Sequence, residues 1–194
     1  MTDVIDAKKA LDAGADFVEV DVNKRFLFPK FVIEHNGIKG KLGIGPLLAS
    51  IFIKNVQGKL FLDLKHANIS RNFAQKLSIS LKNLRVKNVR VCGYDWKIIS
   101  QVCKDNNLLP FYSISDSIHL KEIEKALLNL EKPAGFSVYF SLLTQDVIKQ
   151  LKKHGEIWAW TVDDPQIAKD LVKLGVDGII TNNWREMTKA FKKG

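Results

Sequence analysis

Cysteine is scarce: Cys92 and Cys103 are the two in 194 residues, and their spacing fits no thiolate metal site or redox motif. No apolar run approaches the roughly 18 residues of a membrane span. The opening Met1-Thr2-Asp3-Val4-Ile5-Asp6 lacks the basic-then-apolar pattern of a secretory leader. These absences together predict a reduced, cytoplasmic protein with no membrane span. Arginine is also sparse, at 5 residues against 25 lysines. The net charge of +9 would suit an anionic partner, but no stripe of arginine, lysine and aromatic residues gathers on one segment. A solvated basic surface is expected, and no nucleic-acid partner. Nor does a glycine-rich phosphate turn follow residue 22 or residue 65, which counts against a dinucleotide-binding sheet.

What the chain does have is rhythm. Apolar residues make up 46% of it, and they recur as short strands alternating with helices. A helix is predicted over 3–13, stopped at Gly14, followed by a strand at 17–22. A turn-like insert at 23–30 leads to a short strand at 31–35. Segment 36–46 holds four glycines and a proline and reads as loop, with a short helix at 46–53. Six strand–helix units then follow, with strands at 59–65, 89–94, 108–114, 135–140, 156–162 and 177–181. Strands that alternate with helices and are apolar on both faces make a parallel sheet. The fold class is therefore α/β, in one domain over residues 1–194. Seven core strands, one short of a β/α (TIM) barrel, predict a barrel lacking its first strand. An open gap between the strands at 17–22 and 177–181 would expose two edges, which a neighbouring copy of the chain, as a homo-oligomer, could cover.

The most informative residues are acids inside apolar strands. Glu19 and Asp21 lie two apart in Phe17-Val18-Glu19-Val20-Asp21-Val22, so their side chains leave the same face. Asp63 and Lys65 share a face in Lys59-Leu60-Phe61-Leu62-Asp63-Leu64-Lys65. Like charges buried side by side are costly unless a cation lies between them. Oxygen-only ligands suit a hard ion, so one Mg²⁺ or Ca²⁺ is expected, with Mn²⁺ a third candidate. The alternative is a structural ion pair of Lys65 with Asp63 or Glu19. His35, before Gly37 at a strand end, has the chemistry of a proton donor. His66 points away from Lys65, while His119 and His154 are assigned to helices remote from the site.

In order along the chain, these segments resemble the glycerophosphodiester phosphodiesterases. Ala10 to Val22 is similar to that family's helix end and E-x-D strand. Phe31-Val32-Ile33-Glu34-His35 resembles its strand ending in a catalytic histidine, and Leu60 to Lys65 its acid-x-lysine strand. Ile157-Trp158-Ala159-Trp160-Thr161-Val162-Asp163-Asp164, followed by Leu174 to Asn182, is the nearest match. The resemblance implies a β/α barrel that splits a small-molecule phosphodiester with one divalent cation, giving glycerol 3-phosphate and an alcohol. It places Glu19, Asp21 and Asp63 on metal-ligand positions and His35 on one of two proton-transfer histidines. Lys65 falls on a phosphate-facing lysine, and Trp160 on an aromatic residue near the glycerol or the leaving group.

Departures from the family pattern shape a further expectation. The family's first strand ends in His-Arg-Gly and is followed by Glu-Asn-Thr; here Met1 stands about where that glutamate would be. Asn36 follows His35 where the family has aspartate, Asp63 takes the place of the commoner glutamate, and Asn182 stands for an aspartate. Weak or absent activity is therefore expected of this sequence, the alternative being a non-catalytic, phosphate- and metal-binding or scaffold relative.

Overall fold

The computed structural model describes residues 4–24, 31–33, 59–64, 71–85 and 87–191. They divide into two compact units, Met1–Leu109 and Pro110–Gly194.

In the first unit, helix α1 (Val4–Asp12) precedes β1 (Val18–Lys24), β2 (Phe31–Ile33), β3 (Leu60–Leu64), α2 (Arg71–Asn83), β4 (Arg90–Gly93) and α3 (Trp96–Asn106). The strand order is β2-β1-β3-β4. β1, β3 and β4 run parallel, whereas β2 pairs antiparallel with β1 through Val22–Ile33, Asn23–Val32 and Lys24–Phe31. Leu60, Leu62 and Leu64 on one face of β3 and Phe61 on the other are all fully buried. A strand apolar on both faces can only sit between two covering layers, which is why the sheet is parallel and helix-flanked. Each leucine contributes about 1.5–3 kcal/mol by leaving water.

The helices of this unit bury one stripe each. α2 packs Phe73, Ala74, Leu77 and Leu81 inward, at spacings of three and four. α3 begins at Asp95, whose carboxylate accepts from the Ile98 N–H at 3.1 Å. It ends at Asn107, in the left-handed conformation that satisfies the last carbonyls.

The second unit comprises β5 (Leu109–Ile114), α4 (Ser117–Leu127), β6 (Gly135–Tyr139), a 3₁₀ turn (Phe140–Leu142), α5 (Gln145–Lys152), β7 (Glu156–Trp160), α6 (Pro165–Leu174), β8 (Gly178–Ile179) and α7 (Trp184–Phe191). Its strands follow the order β5-β6-β7-β8, all parallel. Phe111, Tyr112, Phe136, Val138, Ile157 and Ala159 fill its core. Helix α6 is bounded at both ends by its own sequence. The Asp164 carboxylate accepts from the Gln166 and Ile167 N–H groups, Pro165 occupies the first turn, and Gly175 at φ 106° closes it.

All seven expected core strands are present. The helix expected at 46–53 and the loop at 36–46 lie outside the described residues. The last strand is shorter than expected, at Gly178–Ile179, and Asp177 before it still pairs with β7 through both its side chain and its backbone. Its carboxylate accepts from the Ile157 N–H at 2.8 Å, and its own N–H donates to the Ile157 carbonyl at 2.8 Å. Among the described residues no helix is long and apolar enough to cross a membrane.

Gly178 is the register partner of Trp158, and a Cβ there would lie 2.6 Å from the indole. Trp158 is itself pinned edge-on to Phe111, with ring centroids 5.5 Å apart. Gly178→Ala is therefore expected to destabilise the protein by about 1–3 kcal/mol, the range for overpacking. The shift in the urea unfolding midpoint checks it.

Candidate active site

The parallel register of β1 and β3 builds the acidic site. Glu19 pairs with Phe61 and Asp21 with Asp63. Register partners on parallel strands sit side by side on one face, and residues two apart share that face. Glu19, Asp21 and Asp63 therefore converge, each offering a carboxylate oxygen within 4.8 Å of the others. Asp21 is 4% exposed, and Glu19 and Asp63 are half-buried. Phe61 completes the face, and β4 adds Cys92 as the register partner of Asp63. Below the acids the face is closed by Arg90, whose guanidinium stands 4.1 Å from the centroid of the Phe17 ring.

Three oxygen donors this close fit one hard divalent cation, since ligands about 2.1–2.5 Å from an ion lie within twice that distance of each other. The donor set offers no nitrogen or sulfur, which disfavours zinc. Cys92 and Cys103 are buried thiols without a disulfide, and burial pushes the Cys103 thiol far above its ordinary range. It is an inert core residue.

In the second unit the C-terminal strand ends carry polar and aromatic groups. Trp160 ends β7 and is the register partner of Tyr139, with ring centroids 5.4 Å apart; Tyr139 meets Phe140 at 5.3 Å. Tyr139 is 38% exposed. The buried indole N–H of Trp160 has no hydrogen-bond partner among the described residues. Trp158 on the same strand face is instead a packing residue, its N–H donating to Glu156 at 3.0 Å.

Beyond Trp160 the loops after β7 and β8 are joined by Asp163. Its carboxylate accepts from the Thr181 hydroxyl at 2.9 Å, the Asn182 backbone N–H at 2.7 Å and the Asn182 side chain at 3.4 Å. Burial pushes this carboxyl up, but the hydrogen bonds outweigh it and hold Asp163 below the ordinary carboxylate range. A second cluster follows β5, where Asp116 caps α4 by accepting from the Ile118 and His119 N–H groups, both at 2.9 Å. The hydrogen bond from the His119 N–H leads the causes that keep its carboxyl below the usual range.

Of the residues singled out in the sequence, the structure brings Glu19, Asp21 and Asp63 together and sets Trp160 at a strand end. His35 and Lys65 lie outside the described residues. The sequence reading did not single out Asp163 or Asp116. Asp116 and Asp164 carried a legible signal, since aspartate just before a helical stretch is a cap. His119, assigned to a helix, lies in the first turn of α4.

The sequence profile described as the Glycerophosphoryl diester phosphodiesterase family matches residues 52–186, more than half of the chain. The chain belongs to this family. An Arabidopsis thaliana glycerophosphodiester phosphodiesterase, GDPD4, is 30% identical over 59 residues, a stretch that is 30% of this chain and 18% of that protein. Among solved structures, an Oleispira antarctica phosphodiesterase in complex with the product sn-glycerol-3-phosphate superimposes with a TM-score of 0.78 at 17% identity, covering 98% of this chain and 90% of that one. A glycerophosphodiester phosphodiesterase from Parabacteroides distasonis gives a TM-score of 0.75 at 21% identity, with 96% and 88% covered. One from Thermotoga maritima gives 0.72 at 21% identity, with 96% and 90% covered. The fold is accordingly α/β, a β/α barrel of the glycerophosphodiester phosphodiesterase type with seven parallel strands among the described residues. The matched stretch includes Asp63 and Trp160 but begins after Glu19 and Asp21, which strand register alone joins to Asp63.

Because Asp163 is held below its ordinary pKa, the stability it contributes is present above about pH 4 and lost as pH falls through its folded value. Asp163→Asn is expected to cost about 1 kcal/mol near pH 7, once solvent exposure is discounted. The gap between the two proteins should be narrower at pH 3 than at pH 7. Urea midpoints at the two pH values measure it.

Proposed function

We propose that this protein hydrolyses glycerophosphodiesters, with one Mg²⁺ or Ca²⁺ held by Glu19, Asp21 and Asp63, to release glycerol 3-phosphate and an alcohol. The observation that carries the reading is the register of β1 against β3, which gathers three carboxylates in a family member. The sn-glycerol 3-phosphate bound by the Oleispira phosphodiesterase supports glycerol 3-phosphate as the product here.

A divalent cation, when bound, offsets phosphate charge and orients the attacking oxygen. Lys65, two residues beyond Asp63, is the candidate to hold the phosphoryl oxygens as charge builds in the transition state. His35 is the candidate acid that protonates the departing alkoxide, a contribution typically of about 10²–10⁴-fold. Trp160 offers an apolar wall for the alcohol group, and its unsatisfied indole N–H can donate to a ligand oxygen.

Slow glycerol 3-phosphate release from glycerophosphocholine is expected with Mg²⁺ or Ca²⁺, and it should stop on chelation. Asp21→Ala should lower kcat at least about 10²-fold and abolish cation binding in titration calorimetry, since an isolated pair of acids holds a hard ion poorly. A chain that binds cation through Asp21 but releases no product would be a binding relative rather than an enzyme. Equal cation binding by wild type and Asp21→Ala would place the site elsewhere.

A further inference from the structure

The chemistry of three carboxylates alone does not choose between the hard cations, but their setting in the first unit does. Glu19 and Asp21 stand within β1 and Asp63 within β3, none of them on a loop. Groups carried on strands hold their positions better than groups on loops, and the parallel register puts Asp21 beside Asp63. The spacing of the donors is therefore set by the sheet and contracts little around an ion. Each residue offers one carboxylate oxygen within 4.8 Å of the others. Two oxygens on one Ca²⁺, each about 2.3–2.6 Å away, can stand up to about 4.6–5.2 Å apart. On one Mg²⁺, at about 2.0–2.1 Å, they reach no more than about 4.0–4.2 Å. A cluster of this width suits Ca²⁺ throughout, and Mg²⁺ only in the shorter part of the range.

Water is the second constraint. Mg²⁺ dehydrates reluctantly, and it is usually held by one or two carboxylates with several waters kept. Ca²⁺ accepts about six to eight oxygens in looser geometry, from carboxylates bound through one oxygen or both. Here three carboxylates converge, and the side chains beside them are dry. Asp21 is 4% exposed, Phe61 on the same face 1%, and Cys92, the register partner of Asp63, 2%. The ring and the thiol supply no oxygen and leave no room for a hydrated ion on their side. The half-buried Glu19 and Asp63 leave an approach for the few oxygens that would complete a shell.

We propose that this site selects Ca²⁺ over Mg²⁺, the choice being set by the reach of its carboxylates from fixed strands, that of Asp63 foremost; the assignment rests on the reading above that the three acids hold one cation. Asp63 is the single donor from β3, and an aspartate is one methylene shorter than a glutamate. A short carboxylate on a paired strand cannot follow a smaller ion inward. A glutamate in its place would reach further and serve either ion, and half-burial leaves space for it that buried Asp21 lacks.

The test reads binding, not turnover. Titration calorimetry on the whole chain, stripped of metal by chelator and dialysed, should give a Ca²⁺ dissociation constant at least about tenfold below that for Mg²⁺. The melting temperature should rise further with Ca²⁺ than with the same concentration of Mg²⁺. Asp63→Glu should narrow the ratio of the two constants at least about threefold, a change that a merely structural carboxylate would not produce. If that variant fails to fold, Glu19→Asp is read by the opposite change, a wider ratio. Mg²⁺ bound as tightly as Ca²⁺ by the wild type overturns the selectivity and leaves the proposed function standing with Mg²⁺. An unchanged ratio in the variant that folds overturns the role given to carboxylate reach. A wild type that binds neither ion, or binds them no better than Asp21→Ala, overturns the metal site itself.

Discussion

Three carboxylates on adjacent apolar strands set the terms for the rest of this protein. Asp21 is buried beside its register partner Asp63, with Glu19 two residues back on the same face. Repulsion between like charges at such distances is only weakly screened once water is excluded. A sheet built for stability alone would place an apolar residue there, as β3 does at its four other positions. The cluster persists because parallel register leaves these side chains no other direction. A cation is the simplest partner that turns mutual repulsion into shared attraction.

That constraint divides the labour along each strand. The N-terminal and middle positions carry the packing: Leu60, Phe61 and Leu62 in β3, Phe136 and Val138 in β6, Ile157 and Ala159 in β7. The C-terminal positions carry polar and aromatic groups instead: Asp63 in β3, Tyr139 in β6 and Trp160 in β7. Asp163 shows how loop positions are kept from drifting. One ionised carboxylate gathers a hydroxyl, a backbone N–H and a side-chain amide from the loop after β8. Hydrogen bonds to an ionised acceptor are the strong kind, so a single residue can hold two loops in register without apolar contact.

The strands were legible in the sequence because each is a short apolar run bounded by turn residues, and all seven core strands begin within a residue or two of where the pattern placed them. The acidic site was legible for a narrower reason. Glu19 and Asp21 interrupt such a run at the period of a strand, and Asp63 interrupts another at the position that parallel register sets beside Asp21. The turn before α4 was less legible: Ser115, Asp116 and His119 meet at 3.0–3.2 Å, distances that sequence spacing does not encode. Asp163 was hidden for the same reason, since its partners lie 18 and 19 residues away in the chain.

Charge ties the site to the rest of the surface. Three ionised acids give the cluster a formal charge of −3, which a divalent ion reduces to −1. On the function proposed here, a phosphodiester anion would still meet net negative charge at the metal unless cations stand nearby. Lys65 is the nearest candidate in sequence, and the chain as a whole carries +9. A positive overall field raises the local concentration of an anionic substrate at long range, whereas the acids act only within a Debye length of about 10 Å. A lysine-rich chain and an acidic cluster are thus compatible on that reading, the first drawing an anion in at long range and the second acting only close by.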